Sequence, residues 1–91
     1  MQSVETAGFE AALVAEGFEV ATKSVPAGTD NSDHSHDFEV RALVTAGRIA
    51  LTVEGRETSY EPGQVFTMAK GCRHRETVGP EGVTFVVGRR S

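Results

Sequence analysis

A single cysteine, Cys72, occurs among the 91 residues, so the chain can form no internal disulfide and a reducing, cytoplasmic setting is expected. No apolar run approaches the ~18 residues that a membrane-crossing helix needs. Near the N-terminus Glu5 and Glu10 stand where a secretory leader requires basic and apolar residues, so no leader is expected. Basic residues are few, nine against thirteen acidic ones, and apart from Arg89-Arg90 they are scattered. The resulting net charge of −4 argues against nucleic acid or an anionic membrane surface as partner. There is also too little chain for two cores, so one domain is expected. A domain of this size buries only about 60–65% of the surface of its unfolded chain, so a metal ion or a second subunit would help to stabilise it.

What is present is mostly strand signal. The stretch from Ser3 to Glu16 carries Phe9, Ala12, Leu13 and Glu16 at helical spacing. Ser3 or Thr6 can cap this helix and Gly17 can end it. Residues 1–17 therefore read as a helical lead, and 18–91 as a single β domain. Phe18 to Val25 alternates loosely between apolar and polar residues, and Pro26 to Asp33 reads as a loop. Phe38, Val40, Ala42 and Val44 form one alternating face, and Ile49, Leu51 and Val53 form another after a turn at Ala46-Gly47-Arg48. Short strands are expected at Thr58–Tyr60 and Val65–Met68. Further ones follow from His74 to Val78 and, after a turn at Gly79–Gly82, from Val83 to Gly88. Short strands at ~8–12-residue intervals with Gly and Pro punctuation indicate a closed barrel or sandwich.

All three histidines of the chain fall in two short segments, His34-Ser35-His36 and Gly71-Cys72-Arg73-His74. In extended chain, alternate side chains share a face, so His34 and His36 project together and can chelate a divalent metal. A barrel would have to bring His74 to them. Cys72 and Glu76 share the face of His74; the cysteine reads best as a small core residue, and Glu76 as either a rim carboxylate or an acid–base group. Glu39 and Arg41 lie two apart on one face, which a surface ion pair would explain.

These residues resemble those of the cupins, small jelly-roll barrels recognised by two short motifs. Gly28, His34-Ser35-His36 and Gly47 match the first motif. Pro62-Gly63, Gly71 and His74 match the second, and the likeness extends from Val20 to Val87. The sequence departs from the pattern in three places. Ala69 replaces a proline and Val78 an asparagine. The position of the family's metal-binding glutamate falls on Val40, with Glu39 one residue early. A one-residue offset turns a side chain to the opposite face. Either a bulge after His36 swings Glu39 inward or the site works without it.

The resemblance implies an all-β jelly-roll barrel with a short N-terminal helix and a metal near its mouth. The expected ligands are His34, His36 and His74, with Glu39 as the carboxylate if a bulge admits it. Zn, Fe, Ni, Mn and Cu all suit such a set. A small organic ligand or substrate is expected at the mouth, and Glu76 is the candidate catalytic acid–base residue. The family spans dioxygenases, isomerases and lyases, so an enzyme, a ligand-sensing module and a scaffold are all open. A homodimer is expected, with the Phe9–Leu13 helix or the Phe18–Val25 strand as the element that could cross to a partner.

Overall fold

The computed structural model describes residues 4–91. One helix, α1 (Ala7–Ala15), precedes six strands: β1 (Glu19–Val25), β2 (Asp30–His34), β3 (Glu39–Val53), β4 (Arg56–Tyr60), β5 (Val65–Met68) and β6 (His74–Arg90). The long strands β3 and β6 pair antiparallel from Glu39 opposite Arg90 to Thr52 opposite Arg75. Each bends midway and so serves two layers. One layer runs β1–β6–β3–β5 and the other β2–β6–β3–β4, which is the jelly-roll arrangement. Between them lies a core that includes Val40, Val44, Ile49, Phe66, Phe85 and Val87.

The bends explain why the turns expected at residues 46–48 and 79–82 do not end their strands. Register shifts at Val44/Ala46 and Gly47/Ile49 bend β3 without reversing it. At the same level Gly47 and Gly82 have φ of 73° and 77°. A Cβ on Gly47 would stand 1.9 Å from the Gly82 carbonyl oxygen, so the close approach of two backbones requires glycine here. The expected Pro26–Asp33 loop is shorter than anticipated because Asp30–His34 forms β2. This strand is polar and mostly exposed, with no alternation for the pattern to reveal.

Helix α1 is shorter than expected. Ser3, proposed as a cap, lies outside the described residues, and Thr6 makes no side-chain capping bond. The carboxylate of Glu5 instead accepts the Ala7 N–H at 3.1 Å. At the other end Gly17, with φ 84°, reverses the chain. The Phe18 N–H then donates to Leu13 and the Gly17 N–H to Val14, closing a Schellman motif. Leu13 is fully buried against the wall of its own barrel at Gly88, where a Cβ would come within 2.9 Å of its methyl group. No helix among the described residues is long and apolar enough to cross a membrane.

Candidate metal centre

The antiparallel pairing of β2 with β6 sets His34 directly opposite His74. The chain beyond β2 is held by a bond from the Gly71 N–H to the His36 carbonyl, 2.9 Å long. This bond fastens the second histidine beside the turn that leads into β6. The three rings lie with centroids 4.3 Å (His34–His74), 5.0 Å (His34–His36) and 5.2 Å (His36–His74) apart. Glu76, two residues past His74 and on its face, completes the group. One ligating atom from each of His34, His36, His74 and Glu76 lies within 4.8 Å of every other, an arrangement that can hold a metal ion.

The hydrogen bonds define the state of two rings. His34 Nδ1 lies 2.8 Å from the Ser32 carbonyl oxygen and His74 Nδ1 lies 3.1 Å from that of Cys72. A carbonyl oxygen only accepts, so each Nδ1 must carry the hydrogen. In the neutral imidazole this leaves a lone pair on Nε2. Both Nε2 atoms point at one oxygen, Glu76 Oε1, at 3.0 Å from His34 and 3.3 Å from His74. An ionised carboxylate also only accepts, so with both rings neutral three lone pairs converge on a point that a metal ion, or a proton on either ring, would neutralise. His74 is fully buried, His34 half-buried and Glu76 18% exposed, so water screens this convergence weakly. The pKa of His36 is held below the ordinary imidazole value, first by burial and then by its neighbours His74 and His34. A depressed pKa keeps that ring neutral and free to ligate.

Glu39 is not part of the group. β3 is regular at its start, so Val40 points into the core while Glu39 points outward with Arg41. Its Oε1 accepts two bonds from Arg90, at 3.1 and 2.7 Å. No bulge brings it inward, and the carboxylate at the histidines belongs to Glu76. The expected pair of Glu39 with Arg41 is replaced by two crossed pairs, Glu39–Arg90 and Glu16–Arg41. Cys72 packs against the core, as its reading as a small apolar residue implied.

Beside the histidines a cavity of about 440 Å³ runs between the layers, with His36 and Glu76 in its wall together with Phe38, Phe66 and Phe85. A larger hollow of about 770 Å³, edged by Ser32, Glu54 and Arg73, contains none of the four clustered residues. Lys23 and Arg89 also line the smaller cavity and went unnoticed in the sequence. Parity could have found them: Arg89 continues the inward series Val83, Phe85, Val87, and Lys23 lies opposite Phe85.

The model of the Cupin domain matches residues 22–87. No curated protein matches the chain in sequence. Solved structures of the same fold include a Cupin 2 conserved barrel domain protein from Salinispora arenicola, 24% identical over 81% of this chain and 63% of its own, with a TM-score of 0.69. The DMSP lyase DddQ from Ruegeria pomeroyi is 21% identical, over 81% of this chain and 38% of its own, with a TM-score of 0.72. The polyketide cyclase RemF from Streptomyces resistomycificus is 23% identical, over 85% of this chain and 58% of its own, with a TM-score of 0.69. The chain thus spans less than two thirds of the length of each of these three proteins.

Proposed function

The chain belongs to the cupin family, and from that membership we propose a metal-binding barrel: His34, His36, His74 and Glu76 hold one divalent transition-metal ion, and the adjoining cavity takes a small organic molecule. The observation that carries this reading is the convergence of the His34 and His74 Nε2 lone pairs on Glu76 Oε1, with both Nδ1 atoms already committed to backbone carbonyls. Such bonds to the far nitrogen are what orient a ligating imidazole and raise its basicity. A first-row ion on this set would supply Lewis-acid or redox chemistry at positions that the protein leaves free.

The chain's own residues do the rest. The carbonyls of Ser32 and Cys72 fix the two tautomers, and burial of His74 keeps water from competing for its nitrogen. Glu76 commits Oε1 to the cluster, so we assign it to the ligand set in preference to a separate acid–base role. The phenylalanines of the cavity receive an apolar portion of the bound molecule. Two of the similar structures bear the names of a lyase and a cyclase, so catalysis on that molecule is the enzymatic form of the proposal.

The test is the metal content of protein purified without added metal, followed by titration with zinc. One ion per chain is expected, and loss of binding in His74→Ala. A substoichiometric content that His74→Ala leaves unchanged would overturn the proposal. Self-association into a homodimer is part of the same reading, argued from the small core that a domain of this size can build. A monomeric mass by light scattering at micromolar concentration would count against it.

A further inference from the structure

The cavity beside the histidines is apolar over most of its wall, and Glu76 is the only acidic residue in that wall. Two cations join it from adjacent strands. Arg89 follows Phe85 and Val87 on the inward face of β6, and Lys23 stands opposite Phe85 on β1. Four other cations of this acidic chain, Arg41, Arg73, Arg75 and Arg90, each have a carboxylate within ion-pair distance. Among the described residues Lys23, Arg48, Arg56, Lys70 and Arg89 have none, and of these only Lys23 and Arg89 line the cavity. Glu19 lies opposite Arg89 in the strand register yet does not pair with it. The guanidinium lies instead over the Phe38 ring, 5.3 Å from its centroid, and the same ring stacks on His36 at 4.9 Å.

The geometry points to a small organic carboxylate as the occupant of this cavity, its apolar body against the phenylalanines and its carboxylate held by Lys23 and Arg89. The assignment rests on the reading of the cavity as a binding site and names the class of molecule it takes. A molecule entering an apolar hollow loses water, so its charge must be matched where it comes to rest. An amine would meet two like charges. Lys23 and Arg89 are exposed at the edge of the cavity, so a neutral molecule would gain nothing from their charges. A carboxylate meets a guanidinium fork and an ammonium, with charge-assisted hydrogen bonds available from each. With the carboxylate at these cations, the other end of the molecule is directed toward His36 and Glu76.

The probes are 3-phenylpropanoate and its alcohol and amine counterparts, titrated calorimetrically into zinc-loaded and into metal-free protein. The acid is expected to bind at least tenfold more tightly than either counterpart. Lys23→Gln and Arg89→Gln should each weaken it roughly tenfold, the scale of one lost charge-assisted hydrogen bond. Both variants should keep their zinc stoichiometry, and Arg89→Lys should recover part of the loss. Arg56→Gln, outside the cavity, should change nothing. Equal binding of the three probes, a preference that survives both glutamine variants, or no binding of the acid at millimolar concentration would each overturn the assignment. Zinc stoichiometry is read separately, so a failed metal site with an intact preference for the acid in metal-free protein would refute the metal reading alone.

Discussion

Two charged constellations lie on opposite faces of the β3–β6 wall. On the outer face Glu39 meets Arg90 and Glu16 meets Arg41, and both guanidiniums lie over the Phe18 ring, 4.3 Å and 4.9 Å from its centroid. Arg90 also donates to the Glu16 carbonyl at 2.7 Å, which fastens the end of α1 to the sheet. Every carboxylate there has its guanidinium, so the patch is electrically complete and works as a buttress. On the inner face three imidazoles and Glu76 converge with no guanidinium or ammonium paired to Glu76. The two carboxylates are chemically alike and differ in what neutralises them. A group neutralised within the fold supports structure, and one left facing lone pairs is a receptor for something positive.

If that distinction holds, changes on the outer face should alter stability and spare metal binding, and changes on the inner face should act first on metal binding. The largest effect is expected from Leu13→Ala, which empties the fully buried seat at Gly88 under the buttress. It should cost about 2–5 kcal/mol in urea unfolding, while the folded fraction still binds zinc with wild-type affinity. Next comes Glu76→Gln, expected to weaken zinc at least about 100-fold, the upper end of what losing even an outer partner of a metal site costs. Glu39→Gln, the matched change across the wall, should leave zinc affinity unaltered; a comparable loss would abolish the distinction. Arg90→Ala ranks below both. It removes a half-exposed ion pair, a cation–π contact and a bond to a helix carbonyl, together about 1–2 kcal/mol of stability, with no change in zinc stoichiometry.

Strand parity made much of this visible in advance. Val40 in and Glu39 out follow from a period of two, and the same rule put Glu76 on the face of His74. The pairing of His34–His36 with a distant His74 was likewise legible, because both segments carry the residues of a known pair of motifs. What parity does not contain is the partner strand. Gly47 and Gly82 signal a departure from regular strand, but whether the chain reverses or only bends depends on the two glycines meeting each other. Arg90 as the partner of Glu39 was hidden for the same reason, since 51 residues separate them and only the β3–β6 register joins them. The polar edge strand β2 had no apolar alternation to announce it, because its side chains are largely left in water.

The smallest expected effect concerns pH, and it sharpens the comparison because all three histidines lie on the inner face. His36 has its pKa lowered from the ordinary imidazole value of 6.5, chiefly by burial, then by His74 and His34, and also by Lys23, while Glu76 acts to raise it. With the folded value below the unfolded one, the unfolded chain binds more protons between the two. Stability then rises with pH across that window. His36 therefore contributes stability that is present above pH 6.5 and lost as pH falls from there through its folded value. In metal-free protein the free energy of unfolding should accordingly increase with pH on the acid side of 6.5, and His36→Gln should flatten part of that slope. Zinc should steepen the wild-type slope, because protons and the ion compete for the same nitrogens. A slope that His36→Gln leaves intact would move the pH response off this ring, and a slope that zinc leaves unchanged would separate the histidine cluster from the metal.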